Sequence, residues 1–466
     1  MRRTSVIGVG TLLSVLFVSA GHSADVANIP LLPKTPSVFV TRGPYLQMGS
    51  STAVTLRWRT NQPTDSYVRS GTDLADLNDV AFDVSSTTEH EILVEGLSPG
   101  TKYYYSVGDA TGSLAGGFDS YYFVTSPPTG AAKPTRIWAL GDSGLAGASA
   151  EAVRDAFYDF NGGTHPDLWL MLGDNAYGIP GYGDGSQVAY QVAVFDRFPR
   201  TLRTSVLWPT IGNHEWVSSF EAIGPYFDMF TLPKNGEAGG EPSGFEGYYS
   251  FDYGNIHFIC LDSNDGILMG SSPDPLSEWG MIPWLESDLA ATDQDWIIAF
   301  FHHPPYSKGG HDSDRERNLI LMRENALPVL ERGGVDLVLS GHSHSYERSF
   351  LIDGHYGRSS TLVSANILDS GNGNSLGDGE YRKYHGTYSH NGTVYAVCGS
   401  SSRLTEGSLD HPVMATSQLR MGSMVIDIDG DRLDARFLDI HGEVEDSFTI
   451  LKRDELSENS SWIRYE

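Results

Sequence analysis

Val335-Asp336-Leu337-Val338-Leu339-Ser340-Gly341-His342-Ser343-His344 is a short, mostly apolar run that ends in glycine and two histidines. The run has the length and composition of a buried strand, and a glycine at its end lets the chain turn sharply into a loop. The same pattern recurs upstream. Ile137-Trp138-Ala139-Leu140 leads into Gly141-Asp142-Ser143-Gly144, and Leu168-Trp169-Leu170-Met171-Leu172 into Gly173-Asp174-Asn175-Ala176-Tyr177. Trp296-Ile297-Ile298-Ala299-Phe300-Phe301 leads into His302-His303, and a fifth block is Gly212-Asn213-His214-Glu215. Between the runs, residues 148–160, 282–291 and 315–331 carry apolar side chains at three- and four-residue steps, which predicts helices. Such alternation specifies an α/β architecture of central sheets flanked by helices. Loops at the carboxyl ends of its strands are where such a sheet places its ligands.

Taken singly, an aspartate after glycine at a strand end is more often a helix cap or a turn than a metal ligand, and a lone histidine is usually core or surface. Two aspartates, a tyrosine, an asparagine and three histidines in five strand-end loops are a different matter. Their common setting points to a shared metal site.

Composition limits what such a site can serve. The chain has 466 residues, 40% hydrophobic and 19% charged, enough for more than one domain with a full core. Its 59 acidic against 31 basic residues give a formal charge of −28, which argues against nucleic acid or an anionic membrane as the main partner. An anionic substrate would have to be attracted locally, and bound metal ions are such a source.

Arg2 and Arg3 precede an apolar run from Val6 to Val18, with small residues suited to cleavage at Val18-Ser19-Ala20 or Ser23-Ala24. Residues 1–24 therefore read as a signal peptide of an exported, periplasmic or secreted, protein. No later apolar run is long enough to predict an integral membrane segment. The short leader and low lysine content look bacterial. The two cysteines, Cys260 and Cys398, lie in strand-like runs and read as packed thiols, with a disulfide left open.

After a proline-rich linker, residues 25–38, the segment 39–127 alternates polar and apolar residues in short runs such as Ala53-Val54-Thr55-Leu56-Arg57-Trp58-Arg59, the pattern of an all-β sandwich. Leu97-Ser98-Pro99-Gly100-Thr101-Lys102-Tyr103-Tyr104 is similar to a turn and strand of fibronectin type III modules. This unit has no cluster at ligand spacing and reads as supporting. A second linker, 128–135, precedes an α/β segment at 136–455, and 456–466 is a tail. Strands after Val394, among them residues 423–431 and a pairing candidate at 444–450, are expected to complete the catalytic sheets. Residues 369–379, rich in Gly and Asn, read as a surface loop or an active-site rim.

With these blocks assembled, the chain resembles the purple acid phosphatases within the calcineurin-like metallophosphoesterases. The resemblance is sharpest at Gly341-His342-Ser343-His344-Ser345-Tyr346-Glu347-Arg348, whose Tyr-Glu-Arg tail goes beyond the generic Gly-His-x-His. It implies a four-layer metallophosphoesterase sandwich, two central mixed β-sheets flanked by helices, preceded by an all-β fibronectin III-like domain. By position, Asp142, Tyr177 and His344 would hold a first metal and Asn213, His302 and His342 a second, with Asp174 bridging. In the commonest dinuclear pattern a histidine follows the first aspartate by two residues. Here that position is Gly144, and Tyr177 stands where the missing ligand could be replaced.

The donor chemistry agrees with that assignment. Phenolate, carboxylates and one imidazole suit Fe(III), whereas two imidazoles, an amide oxygen and a shared carboxylate suit a divalent Fe, Zn or Mn. Ligands of about −3 against metals of about +5 leave a cationic site for a phosphate ester. The implied activity is that of an acid phosphatase, a phosphomonoesterase in which a metal-activated hydroxide attacks the phosphorus in line. His214 would stabilise the phosphoryl oxygens. His311, nine residues after His302 as the family places a substrate-contacting histidine, would protonate the leaving group. Asp312 departs from the family's adjacent histidine and leaves the general acid open. His303 reads as a packing residue, and Glu215, Tyr346 and Arg348 as scaffold. A metallophosphodiesterase or a metabolite-specific phosphatase would use the same ligands, and a non-catalytic phosphate-binding protein would have no need of all seven.

Overall fold

The computed structural model describes residues 37–219, 222–264, 280–386 and 388–453. The expected signal peptide and tail lie outside the described residues. Two seven-stranded mixed sheets dominate. The first runs, in spatial order, Tyr381–Tyr384, Val444–Arg453, Arg432–Asp439, Gly422–Asp429, Thr135–Leu140, Leu168–Met171 and Val206–Pro209. The second runs Tyr249–Tyr253, Ile256–Cys260, Trp296–Phe301, Leu337–Ser340, Val394–Cys398, Tyr346–Ser349 and Met414–Gln418. In each, the strands that lead to the motif blocks pair in parallel.

Those parallel strands are buried on both faces, so they read as unbroken apolar runs rather than as alternating ones. Side-chain alternation then sorts them into layers. Ile298 and Phe300 join Trp138, Leu170, Leu339 and Ile426 in one core that draws on both sheets. Ile297, Ala299 and Phe301 point the other way, into a second core with Leu285 and Leu289 of the helix Met281–Ala291 and with Met322 and Leu330. The helix Ala148–Phe160 packs against the first sheet, with Phe157 stacked on Trp138 at 4.1 Å between ring centroids. Helix, sheet, sheet, helix is the expected four-layer order.

Two details differ from expectation. The predicted helix over 315–331 is interrupted: Arg317–Leu321 passes through a π-turn, Met322–Ala326, into Leu327–Arg332. Pro328 has no N–H to give to the preceding turn, and a widened turn accommodates that loss. The strands Gly422–Asp429 and Val444–Arg453 do not pair with each other. Arg432–Asp439 lies between them and bonds to both. Cys260 and Cys398 are free, buried thiols in the shared core, and burial pushes each up to about 12.

Residues 40–124 form a six-stranded antiparallel sheet. Its strands bond continuously through the long strand Ala53–Gly71, whose register with Asp79–Glu95 shifts between Arg59 and Ser66. Residues on both sides of that irregularity, Trp58 and Val68 among them, share one core with Tyr105 and Phe123. Tyr103 accepts a hydrogen bond from the Ser98 N–H at 2.9 Å, which fixes the expected turn before the strand Lys102–Asp109. Among the described residues no helix is long and apolar enough to cross a membrane.

Candidate metal centre

All five motif blocks follow strands at their carboxyl ends, and the loops lock onto one another through their backbones. The Gly141 N–H donates to Cys398 O, Asp142 N–H to Gly173 O, and Gly341 N–H to His302 O, each at 3.0 Å. Asp142, Asp174 and His342 have left-handed backbones, with φ of 56°, 51° and 65°, and each follows a glycine. Non-glycine residues rarely hold that conformation, and clusters of it mark functional sites. The glycines permit the close approach: a Cβ on Gly341 would lie 2.6 Å from Asp142 Oδ2, and one on Gly212 2.3 Å from the Asp174 nitrogen.

The seven expected ligands converge as two quartets. Tyr177 Oη is 3.0 Å from Asp142 Oδ1, 3.0 Å from Asp174 Oδ2 and 3.2 Å from His344 Nε2, and His344 Nε2 is 3.3 Å from Asp142 Oδ1. Asn213 Oδ1 is 3.0 Å from His302 Nε2 and 3.1 Å from His342 Nδ1, and the two imidazole nitrogens are 3.2 Å apart. Asp174 Oδ1 lies 3.4 Å from His302 Nε2. One carboxylate thus gives an oxygen to each quartet. Donors about 2.1 Å from a common octahedral ion stand about 3.0 Å apart, and the short distances within each quartet match that spacing.

Each imidazole is aimed by a bond at its other nitrogen, the usual way a protein fixes a metal-binding tautomer. His302 Nδ1 meets Leu172 O at 2.9 Å, His344 Nδ1 meets Thr405 Oγ1 at 2.8 Å, and His342 Nε2 meets Glu316 Oε2 at 3.1 Å. Glu316 also takes His311 Nδ1 at 2.7 Å, and the His311 and His342 rings are 3.8 Å apart. His311 is therefore at the site. His214 packs on Tyr177 with centroids 4.4 Å apart, and its Nδ1 meets Asp184 Oδ2 at 2.8 Å. Asp312 turns away, paired with Lys308 at 2.6 Å and Arg315 at 3.2 Å. Asp184, Glu316 and Thr405 escaped sequence reading because they sit in no motif block. Their only signal is a polar residue in a loop.

His303 is buried, with Nδ1 at Ser263 Oγ and Nε2 near Asn318, and its ring lies 4.4 Å from that of His342. Glu215 accepts from the N–H groups of Ala176 and Gly212, tying two motif loops together. Tyr346 and Arg348 both bond Asp446.

Electrostatics call for cations. Asp142 and Asp174 are 0% and 2% exposed, and among the described residues neither pairs with lysine or arginine. Buried carboxylates need compensating charge. Burial would lower His302, but Asp174 overrides this and lifts it to about 10. Burial, then Asp142 and Asp174, push the Tyr177 phenol far above its ordinary value. A phenol in that setting loses its proton only to a strong Lewis acid, and binding of such an ion releases the proton. Two carboxylates, a phenol, an amide oxygen and three oriented imidazoles are a donor set that fits a dinuclear centre.

Comparison with known proteins agrees. Residues 135–346 match the calcineurin-like phosphoesterase family model, and residues 42–125 match that of the purple acid phosphatase N-terminal domain. The chain belongs to the purple acid phosphatases, a family of calcineurin-like phosphoesterases with a dinuclear metal centre. It is 30% identical to Purple acid phosphatase 23 of Arabidopsis thaliana over 298 residues, 58% of this chain and 60% of that one. It is 30% identical to Purple acid phosphatase 15 of the same plant over 287 residues, 56% of this chain and 49% of that one. The chain thus spans about half the length of these curated relatives. The structure of purple acid phosphatase PPD1 from yellow lupin seeds superposes with a TM-score of 0.65 over 89% of this chain and 75% of that one, at 19% identity, a likeness of fold.

Proposed function

We propose that this protein is an exported phosphomonoesterase, an acid phosphatase, that holds Fe(III) with Asp142, Asp174, Tyr177 and His344. A divalent Fe, Zn or Mn would sit with Asp174, Asn213, His302 and His342. The observation that carries this reading is the sharing of Asp174 between two donor quartets of different hardness. Bound there, the metals would supply Lewis acidity toward a phosphoryl oxygen and acidify a water nucleophile.

The chain's own residues do the rest. His214 has Nδ1 committed to Asp184, which leaves Nε2 to donate to a phosphoryl oxygen as negative charge accumulates there. His311 has Nδ1 committed to Glu316, which leaves Nε2 to protonate the leaving alkoxide. Burial alone would raise the Glu316 carboxyl, yet hydrogen bonds from His311 and His342 bring it down to about 2. It stays anionic and keeps both rings in place.

A visible absorption spectrum with metal analysis on purified protein tests the centre. The expected result is a tyrosinate-to-Fe(III) band that Tyr177→Phe abolishes. An active, colourless, iron-free enzyme would overturn the ferric assignment. Faster turnover of p-nitrophenyl phosphate than of its bis ester is expected; the reverse order would make the protein a diesterase.

A further inference from the structure

The strands Leu168–Met171 and Val206–Pro209 carry the motif loops at their carboxyl ends, and at their amino ends a cleft of about 210 Å³ opens against the N-terminal sheet. Four strand residues span about 13 Å, so the cleft and the metal loops lie at opposite edges of the sheet. Arg200 and Arg203 line it together with Tyr122, Tyr158 and His165, and Asp119 is the one carboxylate in its wall.

The cleft holds unspent positive charge in an acidic chain. Several arginines elsewhere are matched: Arg136 and Arg436 to Asp427, Arg348 to Asp446, Arg432 to Asp434. Among the described residues, Arg200, Arg203 and Lys102 have no carboxylate within ion-pair distance. Arg200 gives one hydrogen bond to Gly163 O at 3.0 Å and lies 4.9 Å over the Tyr158 ring. Arg203 lies 4.9 Å over Tyr121, and its Nε is buried with no acceptor. Lys102 Nζ sits 3.9 Å from the centre of the Tyr122 ring. Burial holds His165 below its ordinary value, and the nearby Lys133 and Lys102 add to that against Asp167.

We propose that this cleft is a second oxyanion site, separate from the metal centre, that takes a small phosphate-class anion. Guanidinium forks match the oxygens of a tetrahedral anion, and planar aromatic walls shield the contact from bulk water. The volume suits inorganic phosphate with a few waters, each occupying about 30 Å³, or the phosphate end of a small monoester. It is too small for a macromolecule. The anion would sit at the seam between the N-terminal sheet and the strands that lead to Asp174 and Asn213.

The test is calorimetric titration of the full-length, metal-loaded protein with inorganic phosphate at low salt. The expected result is one binding event per chain that disappears in Arg200→Ala/Arg203→Ala, while hydrolysis of p-nitrophenyl phosphate is unchanged. Any event at the metal centre survives that substitution, so failure of one site is distinguishable from failure of the other. Asp119→Asn, an exposed change that spares the fold, should tighten the arginine-dependent event by about threefold. Phosphate binding that is the same in wild type and the double alanine variant overturns the proposal. If the double variant does not fold, unchanged affinity in Asp119→Asn overturns it. Phenylphosphonate binding there more tightly than phosphate would identify a monoester as the ligand, and the opposite order free phosphate.

Discussion

Gly144 accepts a hydrogen bond from the backbone N–H of Tyr177 at 3.3 Å, while its own N–H donates to Asp174 O at 3.0 Å. A Cβ on Gly144 would lie 2.3 Å from the Ala176 nitrogen and 2.3 Å from the Asn175 carbonyl carbon. These are backbone atoms and cannot swing aside. Glycine at 144 is thus what lets the segment 173–177 close down and deliver the tyrosine. Gly144→Ala should destabilise the fold by about 1–3 kcal/mol through overpacking and displace the phenol from Asp142. Thermal denaturation and the visible spectrum check both effects. Gly144→His should lose the band as well, because no room exists for the ligand it would supply.

Glu316 joins His311 to His342 and so couples the proposed proton donor to a proposed metal ligand. Glu316→Gln keeps one acceptor but loses the charge and the second contact. Loss of such an outer partner typically lowers metal affinity or activity by about 10–100-fold. The expected outcome is a fall of that size in kcat, with reduced occupancy of the Asn213 quartet by metal analysis. Asp312→Asn serves as the contrast. Asp312 faces Lys308 and Arg315, so its loss should leave kcat within about twofold; a larger fall would place Asp312 in the chemistry.

Legibility followed periodicity. Parallel strands such as Trp296–Phe301 are apolar on both faces and short, so their positions were plain, and in four of the five blocks a glycine marked the turn that follows. Helix breaks were less visible. Pro328 sits among good helix formers, and only the backbone shows the widened turn Met322–Ala326. Long-range polar partners were invisible. Asp184 meets His214 across 30 residues and Thr405 meets His344 across 61, and one aspartate or threonine in a loop carries no periodic signal. The cleft at Arg200 and Arg203 was hidden for a further reason: which cations are left unmatched depends on the tertiary pairing of all the others.

His257 is buried between Asp252 and Asp288, at 2.8 and 2.9 Å. Burial alone would lower its pKa, but the two carboxylates outweigh it and raise it to about 9, against about 6.5 in the unfolded chain. A raised folded-state value means that the protonated form stabilises the fold fully below pH 6.5, and that this contribution fades as pH rises through 9. His257→Gln should therefore melt well below wild type at pH 6, with the gap narrowing between pH 7 and pH 10. Melting curves across that range check it; a gap independent of pH would show that the imidazolium contributes nothing.

Asp336 is fully buried at the start of the strand Leu337–Ser340 in the second sheet, and pairs with Lys383 at 2.9 Å and Lys452 at 2.7 Å. Both lysines belong to strands of the first sheet, Tyr381–Tyr384 and Val444–Arg453. The aspartate also accepts the Ile297 N–H at 2.9 Å, so one carboxylate ties three strands and both sheets. Burial would raise it, but the two lysines hold it below the ordinary carboxylate range. Asp336→Asn leaves two buried ammonium groups without a counter-charge, and removing one partner of a buried ion pair costs about 3–5 kcal/mol. Chemical denaturation should report a loss of that size with metal content unchanged at low denaturant, because the triad lies at the amino end of its strand, away from His342 and His344. A loss under about 1 kcal/mol, the scale of an exposed pair, would mean that the triad does not hold the two sheets together.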